Sequence, residues 1–341
     1  MMLLLCRFAS SCRIGSSLCR DMKAVRLHKF GGVTNFQIDT IPVPTHSEDE
    51  VLVRVRAAGI NPVDTYIREG AYAILPKLPA ILGKEVAGVV EEVGSNIDNI
   101  KKGDRVFGCL LDGGYAEYAV CKKNHVFPLS EKLTFSQGAS LYVPYFTAHR
   151  ALINKCHIKA GETLLVHGAS GAVGMAAVQI AKAKGVIVAG TAGTVEGMEM
   201  VKQLGADHVF NHKEKGYLNN AVAAIGGQGF DVVVENLANV NLGADLTVLN
   251  QKARVAVVGS RGSVEVNPRS LMMTESSVIG VMLMSATEEE HLEAAEEILK
   301  GIEEGWVNPV IAREYSFEEV GDAHHDIIYN RGARGKLVFI V

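Results

Sequence analysis

The feature that most constrains the fold of this chain is a glycine-rich turn between two apolar runs. Residues 164–166 are Leu-Leu-Val, a short apolar run that predicts a buried parallel strand. Residues 169–174, Ala-Ser-Gly-Ala-Val-Gly, follow with the glycine spacing of a dinucleotide-binding fingerprint, and alanine occupies the first glycine position. An alanine-rich helix and a second strand at 186–189 complete the unit. This order of elements predicts a phosphate-binding turn at a helix N-terminus.

Alternating strands and helices continue after this turn. Further apolar strands are predicted at residues 231–235, 254–259 and 278–283. Alternation of this kind is typical of a doubly wound parallel sheet, the Rossmann architecture. The fold class is therefore α/β, and residues 146–286 form the predicted nucleotide-binding domain.

The two flanks of that domain differ in pattern. Residues 22–145 contain many short alternating runs separated by glycine and proline, among them the strand expected at 113–120, and this pattern predicts a small β-barrel-type domain. The capping box Thr134-x-x-Gln137 predicts the start of a short helix near its end. Residues 287–341 contain two helices with capping-box starts and end in the apolar run 336–341. We expect that last strand to return to the first domain.

Residues 1–21 form a leader of different composition. They contain three arginines, four serines and three cysteines, and no acidic residue before Asp21. This composition is typical of a mitochondrial transit peptide, and the alternative is a disordered or untranslated leader ahead of a start at Met22. The net charge of the chain is −4, and it becomes −6 without this leader. Neither value favours nucleic acid or an anionic membrane, and no apolar run approaches the roughly 20 residues of a membrane span.

Eight stretches spread between Met22 and the C-terminus carry a resemblance to a known family: residues 59–68, 113–120, 143–148, 167–174, 190–194, 210–212, 237–242 and 258–262. They resemble the quinone oxidoreductases of the zeta-crystallin type, a zinc-free branch of the medium-chain dehydrogenase/reductase superfamily. The resemblance implies a GroES-like catalytic domain over residues 22–145, a homotetramer and a cytoplasmic location, with mitochondria as the alternative if the leader is a transit peptide. The strand at 278–283 is the expected pairing edge between subunits.

The zinc-containing branch differs from this chain at its metal ligands. It has a cysteine where this chain has Asn61, and Gly-His-Glu where this chain has Gly-Lys-Glu at residues 83–85. A catalytic zinc needs about three protein ligands, and no cysteine lies near residues 143–145, where the third would be expected. We therefore expect no zinc.

The predicted cofactor is NADPH. Dinucleotide enzymes that prefer NADH place an acidic residue after the second strand, but here no acid occurs between Thr191 and Glu196. Some related reductases have a lysine at the position of Gly197, and His212 or Lys202 could replace it. By fingerprint and resemblance, the cofactor-binding residues are Tyr66, Ser170, Gly171, Ala172, Val173, Gly174, Gly193, His212, Asn241, Val258, Gly259, Ser260, Arg261, Val281, Met282 and Leu283.

The resemblance implies reduction of ortho-quinones and similar conjugated acceptors by one-electron transfer, with a role in detoxification. The residues themselves do not distinguish this from hydride transfer. A quinone needs little acid–base help, so side-chain donors suffice to orient it. We expect Tyr66 and Asn61, on a proline-containing loop, to be the catalytic residues that supply these donors. Tyr72 is expected to line the acceptor pocket.

Two alternatives remain open. One is a 2-enoyl-thioester or alkenal reductase. The other is a non-catalytic protein, because the resemblance also implies NADPH-regulated binding of AU-rich single-stranded RNA or a structural role in the lens. The net charge and the lack of an aromatic and basic RNA motif give RNA binding no support from composition.

Overall fold

The computed structural model describes residues 20–110, 113–329 and 334–341. The predicted leader, residues 1–21, therefore lies outside the described residues except for Arg20 and Asp21. No helix within the described ranges has both the length and the apolar character that crossing a bilayer requires.

The described residues form three sheets and ten α-helices. The strands are β1 (Asp21–Leu27), β2 (Phe36–Pro42), β3 (Glu50–Ile60), β4 (Ala80–Ile81), β5 (Glu85–Val93), β6 (Arg105–Cys109), β7 (Tyr118–Lys122), β8 (Val126–Pro128), β9 (Thr163–Val166), β10 (Ile187–Ala192), β11 (His208–Asn211), β12 (Phe230–Glu235), β13 (Leu249–Val257), β14 (Ser277–Gly280), β15 (Ile311–Tyr315) and β16 (Lys336–Ile340). The helices are α1 (Pro62–Glu69), α2 (Phe135–Gly138), α3 (Thr147–His149), α4 (Ala172–Ala183), α5 (Val195–Gln203), α6 (Tyr217–Ala224), α7 (Ala238–Asp245), α8 (Pro268–Thr274), α9 (Glu288–Glu304) and α10 (Val320–Tyr329). The π-helical turns Tyr142–Phe146 and Arg150–Lys155 extend α3 on both sides.

The sheet of the predicted nucleotide-binding domain is parallel and has the strand order β11-β10-β9-β12-β13-β14. The chain runs outward from β9 to β11, then crosses to β12 and runs outward in the other direction. This is a doubly wound topology, and its switch point lies between β9 and β12, where such sheets bind ligands at the carboxyl ends of their strands. The predicted Rossmann fold class is confirmed.

The N-terminal half contributes a seven-stranded sheet and a three-stranded sheet. The larger has the order β15-β16-β3-β5-β6-β8, with β7 also paired to β3, and the smaller has the order β2-β1-β4. Strand β16 pairs antiparallel with β3, so the C-terminus does return to this domain as predicted. One apolar core runs from Phe107 and Phe127 of this half to Leu164 and Ala176 of the nucleotide-binding half.

Two predicted strands are shorter than the sequence pattern indicates. Of residues 113–120 only the last three lie in β7, because the backbone at Tyr115 instead bonds Leu82 and Val25 in neighbouring segments. The strand expected at 278–283 covers Ser277–Gly280, and a 3-10 turn begins at Leu283. Strand β14 nevertheless lies at the edge of its sheet.

The three capping boxes predict helix starts correctly. The backbone N–H groups of Thr134, Thr287 and Ser316 each donate to the side chain three residues later, at 3.0, 2.8 and 2.8 Å. These bonds satisfy donors that a helix N-terminus leaves free. They begin α2, α9 and the turn that leads into α10.

Candidate cofactor and acceptor site

The predicted phosphate-binding turn joins β9 to α4. Gly168 has a φ of +61°, which L side chains rarely adopt, and it turns the chain sharply after the strand. A Cβ atom at Gly174 would lie 2.3 Å from the carbonyl oxygen of Gly168, so only glycine allows α4 to pack this closely. Gly171 is the N-cap residue and has no side-chain oxygen to occupy the first N–H groups of α4. The turn therefore presents backbone donors to an anion.

The predicted cofactor residues of the nucleotide-binding domain all follow carboxyl ends of its parallel strands or begin the element after them. They follow six strands: β9 (Ser170, Gly171, Ala172, Val173, Gly174), β10 (Gly193), β11 (His212), β12 (Asn241), β13 (Val258, Gly259, Ser260, Arg261) and β14 (Val281, Met282, Leu283). Leu283 is 8% exposed and lies in the core, whereas Met282 is 48% exposed and its sulfur accepts a hydrogen bond from the hydroxyl of Tyr72. The structure thus brings the predicted set to one edge of one sheet.

The end of β10 carries a basic pair rather than an acid. A Cβ atom on Gly193 would lie 2.7 Å from His212 Nε2 and 3.1 Å from Lys213 Cε, so both side chains stand over this glycine. Burial and the charges of His167 and Lys213 lower the pKa of His212, which favours its neutral form. Lys202 lies in the last turn of α5, away from this position.

Tyr66 and Asn61 lie on a helix and its cap, not on a loop as predicted. Asn61 is the N-cap residue of α1, Pro62 is its first residue, and the N–H of Asn61 donates to Asp64 Oδ2 at 2.9 Å. Proline at the first helical position, with an acidic residue two positions later, is a helix-start signal that outweighs the loop character of proline. The helix fixes Tyr66 on one face.

Two predicted catalytic tyrosines of the N-terminal domain contact the nucleotide-binding domain across the cleft. Arg261 Nε donates to the hydroxyl oxygen of Tyr66 at 3.1 Å. The hydroxyl of Tyr72 donates to the sulfur of Met282 at 3.7 Å. Arg261 and Met282 follow β13 and β14, so both tyrosines face the carboxyl edge of the sheet.

Asn61 belongs to a buried network below this cleft. It is 4% exposed, its amide donates to Glu85 Oε1 at 3.0 Å, and its carbonyl oxygen accepts from the ammonium of Lys336. Lys336 also pairs with Glu85, whose second oxygen accepts from the N–H of Val143 at 2.8 Å. The amide of Asn61 is therefore held by protein groups.

The C-terminal strand connects this network to the phosphate turn. Gly335, next to Lys336, donates its N–H to the carbonyl oxygen of Ser170 at 2.8 Å. A single two-residue segment thus touches both the glycine turn and the network below α1. It fixes the distance between the two walls of the cleft.

Comparison with known proteins places this architecture in a family. Residues 47–131 match the family of alcohol dehydrogenase GroES-like domains, and residues 172–300 match the family of zinc-binding dehydrogenases. The human quinone oxidoreductase is 50% identical over 322 residues, which cover 94% of this chain and 98% of the relative. The quinone oxidoreductase of Pongo abelii is 51% identical over 323 residues, again 94% of this chain and 98% of the relative. The chain belongs to the quinone oxidoreductase family.

A solved member of this family has the same fold. The structure of the Escherichia coli quinone oxidoreductase complexed with NADPH superposes with a TM-score of 0.85 at 30% identity, over 94% of this chain and all of that chain. The chain is therefore an oxidoreductase of the medium-chain dehydrogenase/reductase superfamily, as the sequence resemblance implied.

The residues at the position of the catalytic metal do not fit a zinc ion, although one matched family is described as zinc-binding. Asn61 and Glu85 surround the ammonium of Lys336, which already supplies a positive charge there. A divalent cation beside that ammonium would be repelled, and neutral Asn61 is a weak zinc ligand. The absence of zinc from this protein stays a prediction.

Sequence reasoning missed two residues that this site depends on, Lys336 and Lys213. Lys336 begins an apolar strand, and a charged residue in such a run is a signal for a buried ion pair. Nothing in the sequence indicates its partners, because Asn61 and Glu85 are 275 and 251 residues away. Lys213 adjoins His212, which the sequence did single out.

Proposed function

We propose that this oxidoreductase reduces quinones, including ortho-quinones and similar conjugated acceptors, with NADPH as the electron donor. The observation that carries the proposal is the pairing of Tyr66 with Arg261 across the cleft, at 3.1 Å. This contact sets a hydroxyl of one domain against the carboxyl edge of a nucleotide-binding sheet in the other. The NADPH complex of the E. coli relative supports the choice of cofactor.

The chain's own residues fit NADPH. Backbone donors at the start of α4 would hold the pyrophosphate, since Gly171 offers no competing side-chain cap. Lys213, beside Gly193, would hold the 2′-phosphate that distinguishes NADPH from NADH. Tyr66 and Arg261 lie at the opposite end of the strand edge, where they would hold the nicotinamide half.

Little acid–base chemistry is required of the protein in this reaction. When bound, NADPH supplies two electrons and one proton, and a second proton from water completes conversion of a quinone to its hydroquinone. The hydroxyl of Tyr66 would orient the acceptor carbonyl, and Tyr72 would line its pocket. Asn61 would act only as a positioning residue, because its amide is bonded to Glu85 and Lys336.

A substrate panel tests this function. The full chain would be supplied with NADPH and an ortho-quinone, a para-quinone or a 2-enoyl thioester, and NADPH oxidation would be followed. We expect turnover of the quinones and much slower turnover of the thioester. An enoyl reductase, CurK, has a similar fold with a TM-score of 0.85 at 25% identity, so the thioester is a fair competitor. Turnover of the thioester without turnover of either quinone would contradict the proposal.

A further inference from the structure

A buried cluster of three titratable side chains lies at the switch point of the nucleotide-binding sheet. His167 follows β9, Glu235 ends β12 and Asp245 ends α7. The two carboxyl groups are fully buried and His167 is 2% exposed. One ring nitrogen and one oxygen of each carboxyl group all lie within 4.8 Å of one another. The proposed electron transfer uses none of the three.

Hydrogen bonds account for only half of the carboxyl oxygens in this cluster. His167 Nε2 lies 2.7 Å from Asp245 Oδ1, and Glu235 Oε1 accepts from the N–H of Leu237 and the amide of Asn241. Glu235 Oε2 and Asp245 Oδ2 are buried and accept no hydrogen bond from the described residues, and Glu235 Oε2 lies 3.8 Å from His167 Nε2. Two unpaired buried carboxylate oxygens in one cluster are costly when both groups are ionised.

One added proton can give both of these carboxyl oxygens a hydrogen bond. A proton on either oxygen converts two buried acceptors into a donor and an acceptor, and cancels the net negative charge of one imidazolium and two carboxylates. We propose that Glu235 and Asp245 hold one proton between them near neutral pH, and that this proton strengthens cofactor binding. The second half of this inference rests on the proposed function, and the first half does not.

The surroundings of Glu235 agree with a bound proton. Burial raises the pKa of Glu235 to about 7, and the carboxyl group of Asp245 adds to this against the favourable charge of His167. Burial disfavours a charged His167, but its bond to Asp245 and both carboxylate charges raise its pKa. The other titratable groups facing the cluster are Tyr217 on α6, whose ring packs on His167, and His212 beyond it.

The cluster connects two segments that bind the cofactor in our proposal. The carbonyl oxygen of His167, directly before the glycine turn, accepts from Asn236 at 2.8 Å. Glu235 holds Leu237 and Asn241 through its side chain and Val258 through its backbone carbonyl. Loss of the shared proton would leave one uncompensated negative charge between these segments. Binding of an anionic cofactor should therefore weaken as the pH rises through about 7.

Infrared difference spectroscopy of the cofactor-free full chain tests the proton itself. The carbonyl stretch of protonated carboxylic acids should be stronger at pH 6.5 than at pH 9, and this difference should be smaller in Glu235→Gln by the contribution of one carboxylic acid. Buried Asp64, with a pKa raised by burial to about 6, contributes to the same region, but Glu235→Gln leaves it in place. Asp231→Asn is the matched control, because Asp231 lies on the same strand and its hydrogen bonds lower its pKa against the effect of burial. If the wild type lacks the band, or Glu235→Gln shows the same pH-dependent loss of intensity as the wild type, Glu235 and Asp245 do not hold the proposed proton.

Titration with NADPH tests the link to binding. The dissociation constant of the wild type should increase about tenfold between pH 6.5 and 9. This is the change expected if NADPH binding raises the pKa of the Glu235 and Asp245 pair by about one unit. The cofactor's own 2′-phosphate titrates near the lower limit, so the comparison is with Glu235→Gln, which should show at least threefold less change. An equal pH dependence in both proteins would overturn the link. Failure of the wild type to bind NADPH at any pH would contradict the proposed function and leave the infrared result standing.

A metal assay completes the test. His and two carboxylates are also a ligand set for a divalent cation. One tightly held zinc ion per chain that is lost in Glu235→Gln would show that the unpaired oxygens are metal ligands, and the shared proton would be rejected. We expect no such ion.

Discussion

The two walls of the cleft are built in different ways. The wall formed by the nucleotide-binding domain is mostly backbone: a glycine turn, a helix N-terminus and the residues that follow parallel strands. The wall formed by the N-terminal domain is mostly side chain: Tyr66 and Tyr72 face the cleft, above a buried network of Asn61, Glu85 and Lys336. A site built from backbone depends on how closely neighbouring chain segments approach each other. A site built from side chains depends on partners that are far apart in the sequence.

This difference has a consequence for substitutions. In the backbone wall, an added side chain displaces a whole helix, so the effect should be all or none. In the side-chain wall, we expect the buried ion pair to control stability and the tyrosine hydroxyls to control rate, so the two effects should separate. Variants of each kind test whether the walls are independent.

The largest effect is expected from Gly174→Val in the backbone wall. A Cβ atom there would lie 2.3 Å from Gly168 O and 2.6 Å from Ala169 Cα, so α4 must move off its strand. We expect loss of measurable NADPH binding in a fluorescence titration. Gly32→Ala is the control, since its Cβ atom would have no neighbour closer than 3.9 Å. Binding by Gly174→Val within a few-fold of wild type would show that the turn does not hold the cofactor.

Lys336→Met should produce the largest loss of stability in the side-chain wall. It leaves the buried carboxylate of Glu85 without its cation. Removing one partner of a buried ion pair lowers the free energy of unfolding by about 3–5 kcal/mol. Denaturant unfolding measures this as a lower free energy of unfolding. The double variant Glu85→Gln with Lys336→Met should recover part of the loss. A change below about 1 kcal/mol, as for a surface pair, would contradict the buried network.

Lys213→Met should alter cofactor preference. Loss of one charge-assisted hydrogen bond should raise the dissociation constant for NADPH about tenfold and leave that for NADH unchanged. Lys202→Met, at the far end of α5, is the matched control and should affect neither. Equal weakening of both cofactors by Lys213→Met would mean that Lys213 does not contact the 2′-phosphate.

Tyr66→Phe should have the smallest effect of these. It removes one hydrogen bond, a net loss of about 0.5–1.5 kcal/mol, which is roughly tenfold or less in turnover. Tyr72→Phe is the control, because its hydroxyl contacts only the sulfur of Met282 among the described residues. A thousandfold loss with NADPH binding and folding intact would make Tyr66 an obligate proton donor. Such a result would favour the enoyl reductase alternative, in which carbon protonation needs a positioned acid.

The same contrast explains how much the sequence could predict. The turn at 169–174, the parallel strands and the capping boxes are local patterns, and the structure confirms them. The loop predicted around Asn61 and Tyr66 is wrong, because Pro62 does not interrupt a helix there but is the first residue of α1. The pairing of Lys336 with Glu85 could not be predicted, since it depends on which strand β16 joins and in which register, and only the return of β16 to the first domain was expected.

The most direct test of this account is the affinity of the full chain for its two candidate cofactors. Fluorescence titrations with NADPH and NADH under identical buffer, salt and pH would give both dissociation constants. We expect NADPH to bind more tightly, about tenfold, because Lys213 faces Gly193 and no carboxylate lies between Thr191 and Glu196. Equal constants, or tighter binding of NADH, would contradict the account.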